Sequence, residues 1–146
     1  AEERKPLAEV LRLLFDAGGT MIDSSPMYGR SEGVVGDLLH SAGTRDKAFL
    51  ATKVWTEGHH QGISQMDESF RLLRTEKIDL MQIHNLVDWR TQLSTINVWK
   101  ERGRVRYSGI THYTPGAFGR LISIIEAEKI DFVQLPYSIG VRDAEE

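Results

Sequence analysis

Short apolar runs alternate with helix-periodic stretches along the whole chain, and three consecutive runs finish on an ionisable residue. Gly-Gly-Thr-Met-Ile ends at Asp23, Ala-Phe-Leu-Ala-Thr at Lys53, and Asp-Leu-Met-Gln-Ile at His84. The intervals are 30 and 31 residues, about one strand-plus-helix unit. Such alternation dictates an α/β chain with helical crossovers between strands, and therefore a parallel sheet. A buried-strand pattern that keeps ending in a titratable group is hard to explain by stability alone. In α/β sheets the carboxyl ends of strands are where binding and chemistry collect.

The periodicity predicts five helix–strand units. Leu7, Val10, Leu11 and Leu14 follow helical spacing before Gly18, and Thr20–Asp23 reads as a strand. Val34, Val35, Leu38, Leu39 and Ala42 form a second stripe closed by Gly43, followed by a strand at Ala48–Lys53. Ser64 with Asp67 three residues on predicts a capping-box helix start, with Met66, Phe70 and Leu73 buried, before a strand at Asp79–His84. Leu93, Ile96 and Trp99 mark a helix ending near Gly103, then a strand at Val105–Thr111. Thr114-Pro115 opens a helix that turns Phe118, Leu121, Ile122 and Ile125 inward, before a last strand at Asp131–Leu135.

Two architectures hold five such units in 146 residues. One is a doubly wound, flavodoxin-like sheet. The other is five successive units of a (β/α)8 TIM barrel, which takes about 250 residues when complete. The length suits the first. The strand ends suit the second, because neighbouring barrel strands point their carboxyl ends at one shared mouth. The sequence has no G-x-G-x-x-G or P-loop turn, which a doubly wound nucleotide site would normally carry.

Composition removes several function classes. With 18 basic and 21 acidic residues the net charge is −3, no electrostatic footprint for nucleic acid or an anionic membrane. No apolar stretch approaches the roughly 20 residues of a bilayer span. The chain contains no cysteine, so disulfides and thiolate metal sites are ruled out. Adjacent His59-His60 without carboxylate or thiolate company is poor evidence for a metal. The charged start Glu-Glu-Arg-Lys does not resemble a signal peptide, and a cytoplasmic location is expected. No linker or low-complexity run interrupts residues 1–146, which read as one domain.

Asp23, Lys53 and His84 gain meaning with Tyr28, five residues past the first strand end. A tyrosine hydroxyl is a proton donor at neutral pH, and a nearby ammonium favours the phenolate left behind. Lys53 is placed to be that ammonium, with Asp23 pairing to hold its charge. A neutral His84 can hydrogen-bond a carbonyl oxygen and orient it. Together these protonate an oxygen while hydride reaches the adjoining carbon, which is general acid catalysis of carbonyl reduction. Hydride requires a nicotinamide cofactor.

The segments Ile-Asp-Ser-Ser-Pro-Met-Tyr-Gly, Ala-Thr-Lys-Val-Trp and Met-Gln-Ile-His-Asn resemble the aldo-keto reductase superfamily, a barrel family that uses Asp, Tyr, Lys and His. Gly109-Ile110-Thr111-His112-Tyr113 and Phe132-Val133-Gln134-Leu135-Pro136-Tyr137-Ser138 are similar to its fifth and sixth strand ends. The resemblance implies a partial TIM barrel covering strands two to six. It implies Asp23, Tyr28, Lys53 and His84 as catalytic residues. It puts Thr111, His112 and Gln134 at the nicotinamide carboxamide and Tyr137 stacked on the nicotinamide. NADPH is the implied cofactor, with NADH as the variant, and a small carbonyl compound is the substrate. His112 stands where the family usually has asparagine, and Pro136 replaces a more polar residue. Trp55 and Trp89, each soon after a strand end, suit an apolar substrate pocket.

Each residue also has an ordinary account. Lys53 could snorkel, Asp23 could cap the Ser24-Ser25 turn, Tyr28 could pack a loop, and His84 could be a hydrogen-bonded structural residue. Trp55 and Trp89 could be loop anchors. Other readings are a non-catalytic cofactor-binding or regulatory relative, since some members of the family serve as channel subunits, and an inactive barrel fragment. A five-strand arc would leave open edges at Thr20–Asp23 and Asp131–Leu135, which invite self-association.

Overall fold

The computed structural model describes residues 4–145, so Glu2 and Glu3 of the charged start lie outside the described residues. Five helices and five strands alternate: α1 (Lys5–Asp16), β1 (Met21–Asp23), α2 (Ser31–Ala42), β2 (Phe49–Val54), α3 (His59–Leu73), β3 (Ile78–His84), α4 (Trp89–Glu101), β4 (Val105–Thr111), α5 (Phe118–Ala127) and β5 (Phe132–Gln134). All four strand pairs are parallel, and the sheet order is β1-β2-β3-β4-β5. A doubly wound sheet reverses its order at a switch point. No reversal occurs here, so the strands form the arc of a half-barrel with β1 and β5 at its edges.

Side chains alternate across each strand and divide the sheet into two faces. Leu50 and Val54 of β2, Met81 and Ile83 of β3, and Ile110 of β4 join the apolar core with Met66, Leu73, Ile96 and Trp99 of the helices. The opposite, concave face carries Asp23, Lys53, Gln82, His84 and Thr111 near the strand ends. Lower down it holds an aromatic group, with the Phe49 ring 6.0 Å from both Tyr107 and Phe132. Polar residues thus gather at the mouth over an apolar floor. On the helix side, the Thr52 hydroxyl donates to the buried Glu32 carboxylate at 2.6 Å. Burial pushes that carboxyl above its ordinary pKa.

Three expectations fail. Ser64 does not begin a helix: α3 starts at His59, one turn earlier, after Gly58 at φ 83°. That left-handed residue is pinned by its own N–H, which the Asp88 carboxylate accepts at 2.8 Å, and Ser64 falls in the helix interior. Pro115 opens a short 3-10 turn at Pro115–Ala117, and α5 itself begins at Phe118. Ile122 and Ile125 do not face inward. They are 54% and 44% exposed, whereas Leu121 and Ile124 are buried. Helix α5 lies at the end of the arc and packs along one stripe only. At the other end α1 buries no residue fully, leaving Leu7 and Val10 exposed. Among the described residues no helix is long and apolar enough to cross a membrane.

Candidate active site

The site grows from the carboxyl ends of β1, β2 and β3. Register pairs Asp23 with Ala51 and Lys53 with Gln82, so their side chains meet on the concave face. Lys53 is 2% exposed. Its Nζ donates to Asp23 Oδ2 at 2.7 Å and to the Ser24 carbonyl oxygen at 2.8 Å. Two of its three donors are therefore fixed in the wall. A buried ammonium needs such pairing to remain charged. The ammonium also lies 5.2 Å from the centre of the Tyr28 ring. Tyr28 itself is about half exposed at the mouth.

His84 closes the third strand. Burial first, and the Lys53 ammonium second, hold its imidazole below the ordinary pKa against the opposing pull of Asp23. The ring is therefore neutral at pH 7. Its Nδ1 is buried without a partner among the described residues, as is Oδ1 of neighbouring Asn85. The chain after His84 is strained: Asn85, Leu86 and Asp88 take φ values of 54°, 58° and 41°. Such residues cost on the order of 1 kcal/mol each and persist where the surroundings hold them. Here Leu86 is buried, and Asp88 accepts from Gly58 N–H and the Thr91 hydroxyl, both at 2.8 Å. Gln92 adds bonds from Nε2 to the carbonyls of Thr56 and Gly58. The loops after β2 and β3 are thereby tied together.

A pocket of about 260 Å³ opens at the mouth, lined by Tyr28, Lys53 and His84 on one side and Thr111, His112 and Gln134 on the other. Six of the residues singled out in the sequence thus share one cavity, with Asp23 behind Lys53. Thr114 N–H donates to His112 Nδ1 at 3.2 Å, so a neutral His112 carries its proton on Nε2. Trp55 is 42% exposed, its ring 6.4 Å from that of His84. Trp89 does not line the pocket. It packs on the core at the start of α4, with the Arg90 guanidinium 4.3 Å over its ring. Tyr137 is also elsewhere, exposed and donating its hydroxyl to Glu145. Sequence reasoning passed over Gln82, whose Nε2 donates to Asp23 Oδ1 at 3.2 Å. It also passed over Asn85. The available signal for Gln82 was its place two residues before His84, hence on the same face.

A family model described as the Aldo/keto reductase family matches residues 3–146. The aldo-keto reductase YhdN of Bacillus subtilis is 29% identical over an alignment that takes in 99% of this chain and 47% of that protein. The methylglyoxal reductase YeaE of Escherichia coli is 28% identical, over 99% of this chain and 52% of its own length. Among solved structures, an aldo/keto reductase from Brucella melitensis superposes with a TM-score of 0.74 at 26% identity, covering 89% of this chain and 52% of its own. The chain spans about half the length of the curated relatives it matches.

Proposed function

Because the chain belongs to the aldo/keto reductase family, we propose that it carries the proton-donating half of a nicotinamide-dependent reductase of aldehydes or ketones. The observation that carries this reading is the buried Lys53 ammonium, fixed by Asp23 at 2.7 Å and lying 5.2 Å from the Tyr28 ring. A cation held there, at a pocket mouth, favours the phenolate that forms when Tyr28 gives up its proton. Neutral His84 faces the same pocket and orients the substrate carbonyl through a hydrogen bond to its oxygen.

The donor set fits a nicotinamide. Thr111, His112 and Gln134 offer a hydroxyl, an imidazole N–H and a primary amide along one wall, which suits a carboxamide that both donates and accepts. These residues would hold it, and Tyr137 would join them as a stacking ring only after leaving Glu145. The chemistry a bound nicotinamide supplies is hydride for the carbonyl carbon. Tyr28 then delivers its proton to the carbonyl oxygen, the O–H bond forms, and the phenolate recovers a proton from solvent. NADPH is the proposed cofactor, and small carbonyl compounds of the methylglyoxal kind are the proposed substrates, in line with the relatives' names.

The natural polypeptide should consume NADPH when mixed with a panel of short aldehydes, methylglyoxal included, forming one alcohol per cofactor oxidised. Absence of turnover across the whole panel with both NADPH and NADH would overturn the reading.

A further inference from the structure

Asp23 is gripped at both carboxylate oxygens, by residues from two different strands. Oδ2 accepts from Lys53 Nζ at 2.7 Å, and Oδ1 accepts from Gln82 Nε2 at 3.2 Å. The second grip is unusual in reach. Gln82 sits on β3, Asp23 on β1, and the whole of β2 lies between them. The crossing spans β2 between Ala51, the register partner of Asp23, and Lys53, the register partner of Gln82. Gln82 is 2% exposed, so its amide is shielded from water, while the Asp23 side chain it reaches is 28% exposed.

The neighbour on the far side is equally specific. Gly109 on β4 is the register partner of Gln82. A Cβ placed on Gly109 would lie 2.9 Å from Gln82 Cγ and 3.1 Å from Leu80 Cδ1. It would also stand 3.2 Å from the Phe132 carbonyl oxygen. Gly109 is not among the left-handed glycines, so the backbone does not demand glycine there. The demand is for space, and the tightest occupant of that space is the Gln82 stem.

We propose that Gln82, lying in the slot left by Gly109, is a positioning residue that fixes the Asp23 carboxylate and through it the Lys53 ammonium. The terminal torsion of an aspartate is broad. A carboxylate tethered at one oxygen rotates, and a small misplacement of the cation beside a proton donor is enough to slow the chemistry. This rests on the reading of Tyr28, Lys53 and Asp23 as the proton-donating group.

The test uses the natural polypeptide with NADPH and a saturating aldehyde. Gln82→Met keeps the length of the side chain and removes its donor. It should lower kcat about tenfold while KM stays within about twofold and Tm stays near wild type, the pattern of an interaction felt in the transition state. Gly109→Ala should lower kcat by a similar factor alone, and by no more than about twofold when Gln82 is already Ala. Mere packing against Leu80 and Phe132 would make those losses multiply instead. Wild-type kcat in Gln82→Met, a rise in KM in its place, or multiplying losses in the double variant would overturn the proposal. Tyr28→Phe is run beside them. If it loses turnover while Gln82→Met does not, only the positioning role fails. If Tyr28→Phe turns over like wild type, the reading beneath it fails first.

Discussion

Lys53→Met should lower kcat for aldehyde reduction roughly a thousandfold in the natural polypeptide, within the range that general acid catalysis spans. Methionine fills nearly the same volume, so the packing around a 2%-exposed site is kept. The charge is lost, and with it the cation that, on the proposed mechanism, assists proton donation by Tyr28. Asp23 is left facing Gln82 with no cation. Removing one member of a fully buried ion pair costs about 3–5 kcal/mol, but the Asp23 side chain is 28% exposed and water relieves part of that. About 2 kcal/mol of stability should go, read as a shift in the denaturant midpoint. The two losses separate when kcat is read below the melting transition of the variant itself. Lys53→Met with near wild-type kcat would mean that the buried pair is only structural.

The second large effect is on the fold, and involves no titratable group. Gly36 of α2 is pressed against the last turn of α3. A Cβ there would lie 2.2 Å from the Leu72 carbonyl oxygen, and 2.7 and 2.8 Å from the Leu73 carbonyl carbon and Cα. All three are backbone atoms, so relief requires one helix to move. Gly36→Ala should therefore destabilise by about 3 kcal/mol, or roughly 10 °C in Tm. Gly33, three residues earlier on the same helix, is the control. Its Cβ would meet only Leu72 Cδ2, at 3.6 Å, an ordinary contact. Since alanine favours helix over glycine, Gly33→Ala should be as stable as wild type or slightly more so. In thermal melts Gly36→Ala falls well below wild type and Gly33→Ala does not, if α2 and α3 touch as described. Equal melting temperatures would show that they do not.

What was legible in the sequence follows from the range of the interactions involved. Strand β4 coincides residue for residue with the Val105–Thr111 expectation, because β-rich character and its flanking glycine and threonine are local signals. Asp23, Lys53 and His84 stood out because a strand end is also a local signal, and the sheet then brought them to one mouth. Gln82 did not stand out. Its partner is 59 positions away and two strands over, and only register makes them neighbours. The misplaced start of α3 has the same origin. Ser64 and Asp67 form a plausible local cap, but the real start depends on Asp88 holding Gly58 from another loop. Ile122 and Ile125 have helical spacing but stay about half exposed, beside Val133 and Leu135 at the edge of the sheet.

The most direct test compares kcat of Tyr28→Phe with wild type at saturating aldehyde and NADPH, with cofactor affinity measured on the same preparations. The substitution removes one oxygen and leaves the ring over Lys53. The account predicts a fall in kcat of at least about a hundredfold, with NADPH bound as tightly as by wild type. Undiminished turnover in Tyr28→Phe would contradict it, because the proton would then come from elsewhere.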